Sequence, residues 1–238
     1  MTAAERALRE RLVRTFRGWL GWGEQNGRYL DILAVYNRQR PLPRGYAMQA
    51  GDEWCAAAVT AAGIAAGLAD IILPECSCSA MIALYQAAGR WVEDDGYVPE
   101  EGDILLYCWS DTGRGDCLGA PNHVGVVCGV AGHTITVIEG NKGGKVATRE
   151  IAVGGRYIRG YCLPDYALRA ARDEGGANKE DAMELYHWFA DMPDWARASA
   201  EKAYRKGLLA EDPQSHAVSV YASNLQALVW LDRLGLLD

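Results

Sequence analysis

The stretch Asp52-Glu53-Trp54-Cys55-Ala56-Ala57-Ala58-Val59 places a thiol where a helix is expected to begin. Small residues fill the run from 56 to 67, which predicts a closely packed helix with Asp52 as its N-cap. Cys55 then lies in the first turn, where unpaired N–H groups and the helix dipole favour the nucleophilic thiolate. By itself, however, this position favours a buried packing cysteine.

Polar side chains further along the chain change that interpretation. Two β-rich runs flank Ala131-Gly132-His133, which predicts a β-hairpin. A loop of those three residues places His123 opposite Asn141. It also places Gly125 opposite Glu139, and all four side chains share one face because strand residues alternate. A two-residue loop would separate the histidine and the glutamate; we expect the three-residue loop.

This set has the composition of a thiol hydrolase. A cysteine nucleophile is activated by an imidazole, whose other nitrogen needs an acceptor that sets its tautomer and orientation. Glu139 or Asn141 can be that acceptor, and Asn141 could instead steady the substrate carbonyl. Taken alone, His123, Glu139 and Asn141 are each typical of a polar side chain that is solvated at the end of a strand. Together, Cys55, His123, Glu139 and Asn141 favour catalysis.

Four motifs carry a resemblance to a known family. They are Trp54-Cys55-Ala56, Gly102-Asp103-Ile104-Leu105, Asn122-His123-Val124-Gly125-Val126-Val127 and Ile138-Glu139-Gly140-Asn141. From about Tyr29 to Tyr166 the chain resembles the CHAP group of cysteine peptidoglycan hydrolases, found in phage endolysins and bacterial cell-wall enzymes. The resemblance implies a papain-like fold, Cys55 as nucleophile and His123 as base. It also implies that Glu139 and Asn141 support the histidine.

The resemblance further implies the reaction and its partner. We expect cleavage of an amide bond in peptidoglycan, as an N-acetylmuramoyl-L-alanine amidase or an endopeptidase, by a phage or prophage endolysin. Trp54 and Tyr107 are expected to border the substrate groove. Two alternatives stay open: an NlpC-type or toxin-like cysteine amidase, and a catalytically inactive wall-binding module. The first usually has Asp-Cys-Ser at the nucleophile, where this chain has Trp-Cys-Ala.

No cofactor and no metal site is expected. Several relatives bind calcium in an Asp-rich loop before the nucleophile, but here the segment 42–49 has no carboxylate. The loop 111–116 lacks the further carboxylates that calcium requires, which favours a solvated turn. Cys76 and Cys78 are too close for a usual zinc pair, so we predict structural roles for them, with lining of the cleft as the alternative.

Composition and charge indicate which partners and which cellular compartment to expect. The net charge of −7 argues against a nucleic-acid partner, and no apolar stretch is long enough to predict membrane insertion. The segment 1–20 has the spacing of an amphipathic helix rather than of a signal peptide. We therefore expect synthesis in the cytoplasm, action on the cell wall after release, and seven reduced cysteines. The oligomeric state stays open.

The order of elements predicts an α+β fold. Helices come first, near 3–20, 27–37, 56–67 and 79–89, and short strands of an antiparallel sheet follow between 103 and 163. We assign 1–166 to a CHAP-like catalytic domain, 167–180 to an exposed linker, and 181–238 to a small all-α domain with possible cell-wall binding. The last domain is predicted to contain helices near 181–189, 194–206 and 221–234.

Three short motifs in the C-terminal domain resemble a single S-layer-homology-like helical unit. They are Pro193-Asp194-Trp195-Ala196, Lys206-Gly207-Leu208-Leu209 and Leu231-Asp232-Arg233-Leu234-Gly235-Leu236. The resemblance implies cell-wall binding; the alternative is an accessory bundle that packs or dimerises. Four aromatic residues could stack on sugars, although their helical spacing favours core positions: Trp188, Trp195, Tyr204 and Trp230.

Overall fold

The computed structural model describes residues 1–94, 96–112, 117–175, 185–213, 215–233 and 235–237 of the 238-residue chain. The chain forms two compact units, Met1–Ala170 and Ala171–Asp238. In the larger unit, helices come first and an antiparallel sheet follows, which confirms the predicted α+β class. None of the described helices is both long and apolar enough to span a bilayer.

Four helices form one layer of the larger unit: α1 (Ala3–Arg17), α2 (Tyr29–Asn37), α3 (Cys55–Ala65) and α4 (Cys78–Ala87). Short 3-10 turns lie between them at Glu24–Asn26 and Pro43–Gly45. Helix α3 is almost entirely buried, and a Cβ added at Gly63 would lie 2.6 Å from Ile72. Its small residues let neighbouring chain segments approach closely.

Six strands form the second layer, in the order β1-β6-β2-β3-β4-β5, with every pair antiparallel. They are β1 (Trp91–Val92), β2 (Ile104–Tyr107), β3 (His123–Ala131), β4 (Thr134–Glu139), β5 (Ala147–Ala152) and β6 (Ile158–Cys162). Ile104, Val124 and Val126 pack with the helices in the main core. Leu105 and Val137 belong to a second apolar cluster.

The hairpin of β3 and β4 has a shorter loop than we predicted. Gly125 lies opposite Glu139, as expected. Ala131, however, pairs with Thr134, so the loop consists of the two residues Gly132-His133. Our three-residue loop is therefore wrong, because the ladder continues one pair further than the sequence suggested.

A β-bulge in β3 reconciles the short loop with the expected register. The pairing shifts between Val127 and Gly129, where Cys128 is the additional residue. With a two-residue loop and no bulge, His123 and Glu139 would point to opposite faces. The additional residue reverses the alternation, and so the two side chains share one face.

The predicted N-cap of helix α3 is also wrong. The residue before the helix is Trp54, and no side chain caps this end. The Asp52 carboxylate instead accepts hydrogen bonds from the Gln49 N–H at 2.7 Å and the Tyr46 hydroxyl at 2.9 Å. Asp52 thus stabilises the preceding turn, while Cys55 remains the first residue of the helix.

The predicted linker 167–180 begins inside a helix. Helix α5 spans Tyr166–Gly175 and continues from the larger unit into the smaller one. We expected an exposed tether here, but 167–175 has regular helical structure, whereas 176–180 lie outside the described residues.

The C-terminal unit is not all-α, which corrects our prediction. Strand β7 (Leu185–Tyr186) pairs with β8 (Val220–Tyr221) where we expected a helix over 181–189, of which 181–184 lie outside the described residues. A pairing between segments so distant in sequence leaves no mark on local periodicity. A 3-10 turn at Phe189–Asp191 follows, and then the two other predicted helices, α6 (Asp194–Arg205) and α7 (Ala222–Arg233).

Candidate active site

Cys55 opens helix α3 and is 7% exposed. No side chain caps this end of the helix, and the backbone N–H of Ala56 interacts with the cysteine sulfur. Donors of the first helical turn stabilise a negative charge, so the local structure favours a thiolate.

Two neighbouring side chains control the ionisation of Cys55. The sulfur of Cys78 lies 3.9 Å from that of Cys55, and the imidazole of His123 lies close enough to act on the charge of Cys55. The Cys78 contact, opposed by burial and supported by His123, lowers the pKa of Cys55 to about 5. Burial would lower the pKa of His123, but hydrogen bonds with Cys55 and Glu139 raise it to about 9. Between these values the pair is a thiolate and an imidazolium.

Glu139 orients the imidazole. Its Oε2 atom lies 3.1 Å from Nε2 of His123, which leaves Nδ1 available to the thiol of Cys55. Glu139 is fully buried, and burial alone would raise its pKa. Hydrogen bonds from His123 and Arg149 outweigh burial and lower the pKa of Glu139, so this residue stays a carboxylate at neutral pH.

Arg149 is a residue of this site that our sequence reasoning missed. Its Nε atom lies 2.7 Å from Oε1 of Glu139, and its terminal nitrogen NH2 lies 3.1 Å from Oε2. This fork fixes both oxygens of the buried carboxylate. The register of β4 and β5 could have identified Arg149. Arg149 lies opposite Val137 in the ladder, and Val137 is two residues from Glu139, so the Arg149 and Glu139 side chains share one face of the sheet.

Asn141 lies near the site but does not occupy the predicted position. The ladder between β3 and β4 ends at the pair Gly125 and Glu139, so it does not extend to a pair of His123 and Asn141. Among the described residues, the side-chain amide of Asn141 donates to Glu53 at 2.7 Å. Asn141 has a left-handed backbone with φ of 56°. It therefore links the turn after β4 to the residues that precede the nucleophile helix.

The family model for the CHAP domain matches residues 44–141. This region of the chain is similar to CHAP domains. CHAP domains are typically cysteine- and histidine-dependent amidases or peptidases that act on peptidoglycan. The matched segment includes Cys55, Cys78, His123 and Glu139, whereas Arg149 lies beyond its end. Searches of curated proteins and of solved structures found no match.

Aromatic rings lie against His123. The ring of Tyr107 stacks on His123 with a centroid distance of 5.7 Å and on Trp109 with a distance of 4.6 Å. Tyr107 is fully buried, so it supports the imidazole and offers no surface to a substrate. Trp109 is only half-buried, and the Arg149 guanidinium lies 4.6 Å from its ring. Trp109 thus takes the place beside the site that we expected for Tyr107.

Trp54 is likewise a core residue rather than part of a groove. It is fully buried, its Nε1 donates to Glu24 at 3.2 Å, and its ring lies 5.7 Å from that of Tyr29. The turn after β4 covers it closely, because a Cβ added at Gly140 would lie 3.1 Å from the indole. The expectation that Trp54 contacts substrate is wrong in this structure.

The sequence argues against a metal ion in two loops, 42–49 and 111–116. Within the described ranges, no three His, Cys, Asp or Glu side chains are grouped so that they could hold a metal ion. The segment before the nucleophile contains the 3-10 turn Pro43–Gly45. Of the loop 111–116, residues 113–116 lie outside the described part of the chain.

Proposed function

We propose that the larger unit hydrolyses an amide bond of peptidoglycan, with Cys55 as nucleophile, His123 as acid and base, and Glu139 as the residue that orients the imidazole. One observation carries this proposal: within a CHAP-domain match, an imidazole that lowers the pKa of the thiol is itself hydrogen-bonded to a buried carboxylate. CHAP domains act in general on peptidoglycan, which supports the choice of substrate.

In the first half of the reaction the Cys55 thiolate attacks the carbonyl carbon of the substrate amide. The negative charge moves to the carbonyl oxygen, where backbone N–H groups at the uncapped start of α3 can stabilise it. The tetrahedral intermediate then collapses. The C–N bond breaks, the imidazolium of His123 gives its proton to the leaving amine, and a thioester remains on Cys55.

In the second half water replaces the amine. His123, now neutral, takes a proton from the water molecule as its oxygen attacks the thioester carbonyl. The C–S bond breaks, the product leaves as a carboxylic acid, and Cys55 returns to the thiolate beside a protonated His123. Glu139 and Arg149 keep the imidazole in one orientation through both halves.

The bond that is cut is either the N-acetylmuramoyl-L-alanine amide or a peptide bond of the stem or cross-bridge. The same thiol chemistry serves both. We further propose that the protein acts as a phage or prophage endolysin, a role in which a wall hydrolase of this kind is released to degrade the wall.

Digestion of purified peptidoglycans of several cross-link types, followed by mass spectrometry, tests this function. We expect products with the wild type and none with Cys55→Ala. Cys128→Ala, which removes a thiol of the main core, is the matched control and should retain activity. Release of whole stem peptides from glycan identifies an amidase; cleavage within or between stems identifies an endopeptidase. A lack of Cys55-dependent products from every wall would contradict the proposal.

For the C-terminal unit we propose binding of a cell-wall saccharide, as the S-layer-homology-like resemblance implies. The support is a cavity of about 170 Å³, lined by Trp188, Phe189, Tyr204, Glu211, His216 and Val218. Trp188 is 48% exposed, although its helical spacing had favoured a core position. Exposed aromatic rings beside a few polar groups are typical of saccharide sites, since the ring packs on the sugar's C–H face.

The polar groups of this cavity are held together before any ligand arrives. Glu211 accepts a short hydrogen bond from the Tyr204 hydroxyl, and its Oε1 lies 2.5 Å from Nδ1 of His216. His216 has a left-handed backbone with φ of 61°, a conformation that costs free energy for a residue other than glycine. The carboxylate and the imidazole could both bind sugar hydroxyl groups.

An NMR titration of the full-length protein with an N-acetylglucosamine oligomer tests this second proposal. We expect chemical shift changes at the cavity and loss of binding in Trp188→Ala. Trp195→Ala is the matched control, because Trp195 is 56% exposed on α6 but does not line the cavity. Equal weakening by both variants, or no shift changes at the cavity, would contradict saccharide binding there.

A further inference from the structure

A second cysteine lies directly against the nucleophile. Helices α3 and α4 both begin with a cysteine, and the sulfur atoms of Cys55 and Cys78 are 3.9 Å apart. We had assigned Cys78 a structural role, because its spacing from Cys76 suits no metal site. The structure instead places its thiol in contact with the sulfur that would attack the substrate.

Hydrogen bonds hold Cys78 in this place. From the middle of α3, the Thr60 hydroxyl donates to the backbone oxygen of Glu75 at 2.6 Å and accepts from its N–H at 2.9 Å. The Glu75 carboxylate accepts from the N–H groups of Cys76 and Ser77, at 2.7 and 3.1 Å. The nucleophile helix therefore positions the segment that leads into α4.

The start of helix α4 completes this arrangement. Ser77 is its N-cap, with a side chain that accepts from the N–H of Ala80. Cys78 is the next residue, so its backbone is defined both by the cap and by the Glu75 hydrogen bonds that precede it. Thr60 belongs to the same helix as Cys55. The hydrogen bonds of Thr60 therefore fix the backbone before Cys78 relative to Cys55, and with it the distance between the two sulfur atoms.

We propose that Cys78 donates its S–H to the Cys55 thiolate and is thus a positioning residue that sets the ionisation of the nucleophile. This inference rests on the proposed function, because it concerns the thiolate that attacks the amide. The role requires that Cys78 stay protonated while Cys55 is charged.

The neighbours of the two thiols support that division of charge. Of the described titratable groups, His123 from β3 faces Cys55, and Cys162 from β6 lies near Cys78. The contact with Cys55 and the effect of burial both raise the pKa of Cys78, while that of Cys55 is lowered. Cys162 is also buried with a raised pKa, so it brings no charge to the pair. Only one sulfur of the pair is therefore ionised at neutral pH.

The test measures how fast iodoacetamide alkylates Cys55 as a function of pH, with the modified peptide quantified by mass spectrometry. In Cys78→Ala the thiolate loses a donor, and a rise of one unit in the pKa of Cys55 should lower the rate about tenfold near pH 4, below both pKa values. Cys78→Ser retains an O–H donor and should recover most of the rate. Cys76→Ala, from the same segment, should match the wild type, because its thiol lies beside Tyr36. Circular dichroism confirms that each variant is folded.

The outcomes separate this inference from the proposed function. Suppose that Cys55 of the wild type has a pKa well below that of a free thiol and that Cys78→Ala has the same alkylation profile. Cys78 then has no role in the ionisation of Cys55 and the inference is wrong, while the proposed function stands. If the wild type itself titrates like an ordinary thiol, both are contradicted. A merely structural role for Cys78 would lower stability without moving the alkylation profile, and would show no recovery with serine.

A second measurement on the wild type tests the contact itself and does not require any variant to fold. Hydrogen peroxide oxidises the Cys55 thiolate to a sulfenic acid with release of hydroxide. The Cys78 sulfur then attacks the sulfenic sulfur, water leaves, and a disulfide forms with an S–S bond of about 2.05 Å. We expect peptide mapping to find Cys55 joined to Cys78. A disulfide to a different cysteine, or further oxidation of Cys55 without a disulfide, would contradict the contact.

Discussion

At the residue scale, the site depends on how a few buried groups share charge. His123 lies between a thiol and a carboxylate, and each favours its protonated form. Arg149 lies on the far side of that carboxylate and prevents Glu139 from taking up the proton itself. The four groups therefore form a series in which positive and negative charges alternate.

The rate of hydrolysis should have a bell-shaped dependence on pH. The thiolate of Cys55 is lost as the pH falls through about 5, and the imidazolium of His123 is lost as the pH rises through about 9. We expect kcat/KM on purified peptidoglycan to be highest between these values. Alkylation of Cys55 should fall on the acid side only, because it needs no proton donor. A single rise near pH 8.5, the value of a free thiol, would contradict the ion pair.

Glu139→Gln should shift the basic side of that profile to lower pH. The variant retains the shape of the side chain but removes the negative charge that helps to keep His123 protonated. We expect the rate at neutral pH to fall about 100-fold, the lower end of the range for loss of a positioned acid–base group. Glu150→Gln, an exposed change on the neighbouring strand, is the matched control. An unchanged basic side would show that Glu139 does not act on the histidine.

At the scale of elements, close approach between a helix and a turn brings the parts of the site together. The turn after β4 lies so close to α3 that a Cβ added at Gly140 would be 2.3 Å from the Cβ of Ala58. The alanines of the nucleophile helix and the glycine after Glu139 therefore have the same structural effect. They let the carboxylate strand approach the helix that carries the thiol.

Gly140→Ala should separate these elements. The added methyl group meets Ala58 and the Trp54 ring, neither of which has space to move, so overpacking should cost about 1–3 kcal/mol. We expect lower stability in urea unfolding and a reduced rate of Cys55 alkylation near pH 6. Gly129→Ala is the control, since a Cβ at Gly129 meets nothing within 4 Å. Equal stability of the two variants would show that this contact does not limit the approach.

At the scale of the whole molecule, ion pairs distant in sequence connect the layers of the larger unit. Arg9 of α1 lies 2.9 Å from the carboxylate of Asp103, at the start of β2. The side chains are only 10% and 1% exposed, and Tyr166 places its ring 4.4 Å from the guanidinium. Arg9 of the first helix thus contacts both a buried carboxylate beside the sheet and the first residue of α5.

Arg9→Met should destabilise the larger unit. It would leave Asp103 as a buried charge without its cation, a change that typically costs about 3–5 kcal/mol. We expect a lower melting temperature by calorimetry, with the smaller unit unfolding as before. Arg6→Met, on the exposed side of the same helix, should have little effect. If both variants melt at the same temperature, the buried pair does not stabilise the fold.

Local pattern was enough to predict most elements and to select Cys55, His123 and Glu139, but not the contacts between these residues and the rest of the site. The helices α1 to α4 and the strands β2 to β6 follow from periodicity and turn residues. Arg149 was missed and Cys78 was given a structural role, because the part that each plays depends on a partner from a distant element. The strand β7 was mistaken for a helix for the same reason, since its pairing partner lies beyond α6.

The sequence by itself determined the α+β class, the cysteine at a helix start, and the choice of histidine and glutamate, because each depends on short-range spacing or on a motif. Only the tertiary structure decided the two-residue loop with its bulge, the burial of Trp54 and Tyr107, and the contact of Asn141 with Glu53. It also decided which groups set the charges of the site. Burial and contact depend on atoms far apart in the chain, and close packing allows only arrangements that satisfy all of them together.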